Sequence, residues 1–235
     1  MNYACLTLDS HWASFHNQAN LPNRKSISAS VGYEDRFGMN ELSTRSASLI
    51  IPAGKAAIGG IYTNFGNSDY KRHSAGLACG IRLSDHLSAG VQADYFSELT
   101  YGDYKDHEFV TFEAGILLSL GNVKAGVHVF NPVKQSRSGF MAASVIRAGA
   151  GIKLDNSAYA SAETELSTLN TQLIRIGFEY EAFKKVFLRG GFCTENTSFS
   201  MGIGYNPGYV RFDLGFVTHD KLGITPSASL IFSLN

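Results

Sequence analysis

The dominant pattern along the chain is an alternation of apolar with polar or small positions, the signature of strands whose two faces meet different surroundings. Val210, Phe212, Leu214 and Phe216 alternate with Tyr209, Arg211, Asp213 and Gly215. Phe199, Met201, Ile203 and Tyr205 alternate with Ser198, Ser200, Gly202 and Gly204, and Ile174, Ile176, Phe178 and Tyr180 with Leu173, Arg175, Gly177 and Glu179. Marking every such segment predicts fourteen strands, over 25–34, 42–52, 55–65, 72–83, 86–97, 107–120, 122–131, 144–155, 157–166, 171–181, 184–194, 197–206, 208–218 and 224–234. Each has about ten residues, the length that crosses a bilayer as a tilted strand. No stretch holds a 3.6-residue apolar period for long. The only helix expected is short and lies before residue 24.

The links carry a second regularity. After even strands they are tight, reading Pro52-Ala53-Gly54, Ser84-Asp85, Gly121-Asn122, Asp155-Asn156, Ala182-Phe183 and Asn206-Pro207-Gly208, mostly good turn chemistry. After odd strands they are often longer and more polar, as over 34–41, 66–71, 98–106 and 131–143. Outer-membrane barrels are built with short turns on one side and long loops on the other. An even strand count puts both ends of the barrel on the short-turn side.

Composition narrows the choice between a soluble sheet and a membrane barrel. Charged residues are 17% of the 235, against roughly 25% in ordinary soluble domains. There are 24 glycines, and aromatics make up 12%. The longest apolar run, Ala114–Leu118, is far below the ~18 residues of a spanning helix, which excludes helices alone. Lys+Arg and Asp+Glu are 20 each, so no charge excess points to nucleic acid or an anionic surface. Fourteen such segments make roughly 60% strand, too much for an ordinary globular domain and expected of a closed barrel.

The two faces differ in chemistry as well as polarity. The polar face is rich in Gly, Ser and Ala and carries both signs of charge: Arg82, Asp94, Glu113, Lys124, His128, Arg147, Lys153, Glu163, Glu165, Arg175, Glu179, Arg189, Arg211 and Asp213. Opposite charges of this kind pair across a lumen, where a lone charge is costly. The apolar face has no charge through the middle of strands six to fourteen, as lipid contact demands at ~2–4 kcal/mol per midplane cation. Aromatics gather near strand ends, at Tyr62, Phe65, Tyr70, Tyr95, Phe96, Tyr180, Phe183, Tyr205 and Tyr209, where interfacial girdles form. The chain closes on an alternating aromatic strand, Ser229–Asn235. The expected fold is all-β: a transmembrane antiparallel up-and-down β-barrel of about 14 strands over 25–235, with residues 1–24 as a short N-terminal plug segment.

The segment Asp9-Ser10-His11-Trp12-Ala13-Ser14-Phe15-His16-Asn17-Gln18-Ala19-Asn20-Leu21 directly precedes the first strand. It resembles the N-terminal segment of the FadL-type superfamily of outer-membrane proteins, where an Asn-Pro-Ala-Gly-Leu-like motif sits before a fourteen-stranded barrel. It is similar above all to Bacteroidetes members related to PorV and PorQ, whose version often carries Asn-Gln-Ala. Gln18 stands in place of the proline and Asn20 in place of the glycine. The resemblance implies that Trp12, Phe15, Asn17, Gln18, Ala19 and Leu21 form a plug in the periplasmic mouth. It implies a bacterial outer-membrane location, with a signal peptide upstream of Met1, since Met1–Cys5 has neither a basic nor an apolar leader region. It also implies either passive passage of small hydrophobic or amphipathic molecules, or an assembly or attachment role as in type IX secretion. The implied partners are outer-membrane lipid with a hydrophobic small molecule or a secretion-system component, and no nucleic acid.

The functional candidates are the charges of strands ten, eleven and thirteen: Arg175, Glu179, Arg189, Arg211 and Asp213. They form either an ion-pair ladder filling the lumen or a ligand site in which Arg189 or Arg211 takes a carboxylate, whose geometry the guanidinium fork matches. Gly59-Gly60 and Gly190-Gly191 are expected to mark curvature or a bulge, or else a kink that opens the wall. His73-Ser74 and Thr218-His219 are neighbours on strands and point to opposite faces, against joint catalysis. No catalytic residue, metal site or cofactor is expected. Cys5, Cys79 and Cys193 lack disulfide or metal spacing and are read as small apolar residues.

Overall fold

The structure, a computed structural model, describes residues 4–67, 70–100, 106–132, 136–137, 140–141, 143–169 and 172–234. Parts of the links over 66–71, 98–106 and 131–143 therefore lie outside the described residues. Fourteen strands close into one barrel: β1 Ile27–Asp35, β2 Ser43–Ala53, β3 Ala56–Gly66, β4 Tyr70–Arg82, β5 Leu87–Thr100, β6 His107–Leu120, β7 Val123–Phe130, β8 Val145–Lys153, β9 Ala158–Ser167, β10 Gln172–Phe183, β11 Val186–Cys193, β12 Ser198–Tyr205, β13 Val210–His219 and β14 Gly223–Leu234. Every strand pairs antiparallel with its sequence neighbours, and β1 pairs with β14 from Ile27↔Leu234 to Glu34↔Ser227. Closure leaves no open edge, which is what lets a sheet sit in lipid. A two-residue ribbon, Ser136–Arg137 against Phe140–Met141, lies in the long link between β7 and β8.

Side-chain parity follows the sequence pattern. Leu214 is 61% exposed and Met201 61% on the outer face, while Asp94 is 3% and Glu163 5% exposed on the inner one. The outer surface of an isolated barrel is apolar because lipid covers it; that is why exposed large hydrophobics are so many. Tyr62, Ala75, Tyr95 and Val110 form one row across β3–β6 near the long-loop end, and the tyrosines in it meet the interface there. Phe65, Tyr70 and Phe96 depart from the girdle expected of them. They carry the inward parity: Phe96 stacks on Phe109 at 4.9 Å, and Arg36 and Arg72 each lie 5.5 Å from the Phe65 ring centre. Tyr95 and Phe96 are consecutive, so only one of them can face lipid.

Two local expectations are corrected. Neither glycine pair holds a bulge: the β2–β3, β3–β4 and β11–β12 registers run unbroken through Gly59-Gly60 and Gly190-Gly191. The register shift falls instead between Glu181 and Phe183 of β10, and Phe183 ends 74% exposed. With β10 running on to Phe183, the tight turn after it moves to Lys184-Lys185, where Lys185 takes a left-handed φ of 78°. The short helix expected before residue 24 is a pair of 3-10 turns, Ala13–Phe15 and Gln18–Asn23; Pro22 and the single-residue approach to the wall favour the tighter winding.

A charge placed on the outer belt tests this orientation. Leu214→Arg should cost about 2–4 kcal/mol of barrel stability, read by reversible denaturant unfolding in lipid vesicles. The same residue at inward Ser227 should cost much less.

Candidate functional site

The inner wall divides into two halves by residue size and charge. On β3–β7, one inward row reads Ala57, Gly80, Gly90, Gly115 and His128. The alanine and glycines of this row make a shelf on which the Gln18–Asn23 turn lies. A Cβ at Gly115 would collide with the Asn17 side chain, and one at Gly90 would sit 2.6 Å from the Ala19 backbone nitrogen. Gly59 is likewise filled from above, by Ser14 and Leu21. Leu21 packs with Ala13, Ile50, Ala57 and Ala78 in the one apolar core cluster found among the described residues.

The motif residues lock this seat. Asn17 caps the turn, its Oδ1 accepting from the Ala19 N–H at 3.1 Å while its Nδ2 donates to the Leu6 carbonyl at 3.3 Å. An Asx cap of this kind supplies an acceptor that proline or alanine lacks. Gln18 Nε2 donates to Ser14 O at 3.1 Å and to Glu113 Oε2 at 2.5 Å, and His128 Nε2 lies 3.0 Å from the same oxygen. Asn20 Nδ2 donates to Leu6 O at 2.9 Å. Ala19 is fully buried. The segment is also tied to the wall by Ser48 Oγ to His11 O, Arg82 Nη2 to Pro22 O, Lys124 to Asp9, Tyr159 Oη to Thr7, Ser161 Oγ to Ala4 O, and Leu6 N to Glu163. Arg82, Lys124 and Tyr159 stand near the short-turn ends of their strands, and Ser48 and Glu163 near the middle of theirs.

The other half of the wall carries charges among small residues. Arg189 Nε bonds Glu179 Oε2 at 2.6 Å and its Nη1 bonds Asp213 Oδ1 at 2.8 Å. Arg211 Nε reaches Asp213 Oδ1 at 3.0 Å, its Nη2 lies 3.7 Å from Glu179, and its guanidinium sits 4.7 Å over the Phe187 ring. Arg175 does not join this quartet. It forms a second one with Glu165 at 2.8 Å, Glu163 at 3.6 Å and Arg147, which bonds Glu165 at 3.0 Å. Each quartet balances two cations with two carboxylates, which offsets the desolvation of both. Of the five charges singled out from the sequence, four form one quartet and Arg175 pairs elsewhere, because its partners on β9 are set by register rather than by spacing along the chain.

Beside the charges, Gly32, Ser46, Ser200, Gly202, Gly215 and Ser227 leave a cavity of about 530 Å3. Trp12 and Phe15 enter it from the N-terminal segment, their rings 5.7 Å apart; Arg189 and Asp213 bound it toward the short-turn end, and Arg147 and Arg175 line it nearer the long-loop ends of their strands. A second cavity of about 210 Å3 lies toward the short-turn mouth, beside Arg24, Glu179, Arg211 and Ile231. The Ser/Gly wall and the shelf glycines are parts of the site that sequence reasoning missed. The available signal was small residues recurring at inward positions of consecutive strands.

The Ser/His pairs stand apart, as parity requires. His73 Nδ1 bonds Tyr62 Oη at 2.8 Å on the outside, while Ser74 Oγ bonds Thr63 Oγ1 inside. Thr218 Oγ1 pairs with the Phe199 backbone, and the His219 ring meets Phe37 at 5.3 Å. No cluster that could hold a metal ion occurs among the described residues. The three cysteines are free.

No protein-family model matches the chain, and no curated protein matches it. Solved structures do. The toluene transporter TbuX of Ralstonia pickettii superposes with a TM-score of 0.71 at 12% identity, over 95% of this chain and 92% of that one. The P. putida toluene transporter TodX gives 0.70 at 10% identity, over 96% and 94%. A FadL homologue of Pseudomonas aeruginosa gives 0.66 at 13%, over 97% and 94%. The chain has the fold of FadL-type outer-membrane barrels.

Two outcomes follow from the seat. Gly90→Ala forces the Ala19 backbone to move, so protease cleavage within residues 4–24 should rise while the barrel stays folded by gel mobility. Gly60→Ala, which meets nothing within 4 Å, should leave cleavage unchanged. Burial holds the His16 imidazole down from its ordinary 6.5 to about 3, with Arg147 and His128 acting in the same direction. The seated segment therefore excludes a proton that the released one accepts below about 6.5, and seating weakens as pH falls from there. The same protease assay should show faster cleavage at pH 5 than at pH 7.5, and His16→Gln should flatten that dependence.

Proposed function

We propose that the protein is a passive outer-membrane channel that binds and passes small hydrophobic or amphipathic molecules, with residues 1–24 as its plug and 25–235 as its barrel. The observation that carries this reading is the cavity of about 530 Å3 between Trp12, Phe15 and the Ser/Gly wall, a size usual for small-molecule sites. The apolar rings supply burial, and the small wall residues supply room. The transporters that share its fold, two of them for toluene, support the same reading, as does the apolar belt that suits a bacterial outer membrane.

Arg175, Arg189 and Asp213 bound the ligand space, with Glu179 and Arg211 behind them. Arg189 is engaged by Glu179 and Asp213, and Arg175 by Glu165 through Nη1 although its Nε has no partner among the described residues, so a ligand carboxylate has to displace Asp213 or Glu179 to reach Arg189. Neutral or weakly polar ligands are therefore favoured over anionic ones. An assembly role of the type IX secretion kind, and membership of the PorV/PorQ branch, gain no support from the described residues.

Trp12 is the chain's one tryptophan and lies inside the barrel, away from lipid. Titration with toluene should change its emission saturably, and Trp12→Phe should abolish the signal. In proteoliposomes with a lipopolysaccharide outer leaflet, radiolabelled toluene or oleate should enter faster than into protein-free vesicles, toluene showing the larger gain. No gain for either probe rejects the transport reading.

A further inference from the structure

The N-terminal segment is fastened on one side only. Its hydrogen bonds to the wall land on β2, β4, β6, β7 and β9, and among the described residues none reaches β10 to β14. The close contacts agree: the glycines filled by the segment are Gly59, Gly80, Gly90, Gly115, Gly126 and Gly151 on β3–β8, with Gly32 on β1 approached at 3.2 Å by the tip of Trp12. On β12 and β13, Gly202, Gly204 and Gly215 meet only wall residues.

Both cavities lie on that unfastened side and abut. The upper one reaches Glu34 and Ser46 toward the long-loop end, and the lower one reaches Arg24, Arg211 and Ile231 at the short-turn end. They have six lining residues in common: Cys5, Trp12, His16, Arg189, Asp213 and Ser229. Together their linings reach from the long-loop side to the short-turn side, and the shared residues form the partition where they meet. Trp12 closes it from the β1 side, and the Arg189–Asp213 ion pair, at 2.8 Å, closes it from β11 and β13.

We infer that the permeation path runs down the β10–β14 side past a plug that stays seated, and that Trp12 with the Arg189–Asp213 pair is its constriction. The physical ground is a difference in what must be broken. Moving the segment breaks ten hydrogen bonds to the wall among the described residues, four of them buried, and exposes the Leu21 cluster. Opening the partition requires a rotation of one tryptophan side chain and rearrangement of one ion pair, whose partners Glu179 and Arg211 stand ready to take over the released groups. The inference rests on the channel reading above, and it assigns the selective step to this partition.

Ion conductance of the full chain in planar bilayers tests the path without any hydrophobic substrate. Arg189→Ala with Asp213→Ala removes one charge of each sign, merges the cavities and should raise conductance several-fold. Trp12→Ala opens the same partition from the segment and should do so too, which covers a double variant that fails to fold. A plug lock comes from Ser14→Cys with Gly59→Cys, placed where a Cβ on Gly59 meets the unpartnered Ser14 Oγ, in a background with Cys5, Cys79 and Cys193 replaced by alanine. The gain should persist with that disulfide closed. Wild-type conductance in both opened variants, or a gain lost on closing the disulfide, overturns the inference. Toluene entry is read separately, so a failed path and a failed transport reading give different results.

Discussion

Every backbone N–H and C=O that meets lipid must find its partner inside the protein, and the pairing of β1 with β14 is what completes that requirement. Without the Ile27↔Leu234 ladder, two strands would present open edges to hydrocarbon. Closure then fixes everything else. It assigns each side chain to lipid or lumen by parity, it confines the charges to a shared interior, and it creates the enclosed space that the N-terminal segment and the cavities divide between them.

Inside that space the electrostatics are local. The quartets around Arg175 and Arg189 each sum to zero, so the lumen holds many ions without a net field. The cost of burying them is offset by partners on adjacent strands, which ties the charges to the wall. The segment uses a different kind of contact. Its turn is held by backbone-directed amides, Asn17, Gln18 and Asn20, lying on a shelf where glycine permits close approach. The result is an asymmetric interior, amide-fastened on β2–β9 and hollow on β10–β14.

Much of this was legible from alternation alone. Phe212, Leu214 and Phe216 against Arg211, Asp213 and Gly215 give both faces of β13, and the same logic places fourteen strands within a few residues of where they stand. Girdle assignments by strand position were weaker, because Phe96 next to Tyr95 must point inward whatever its chemistry. Gly59 illustrates another limit. Along the chain it reads as curvature or a bulge, whereas its neighbours Ser14 and Leu21, far away in sequence, make it a seat.

The sequence by itself determined the barrel and the inward charges, because period-two patterning and turn chemistry are local properties that need no knowledge of distant residues. Tertiary structure alone decided which charges pair, that Arg175 serves Glu165 while Arg189 joins Glu179 to Asp213, and where the hollow lies. Those outcomes depend on strand register, shear and the side on which the segment settles. Such quantities are set by contacts between residues far apart along the chain, as in Leu6 with Glu163 or Ile27 with Leu234, and no window of the sequence contains them.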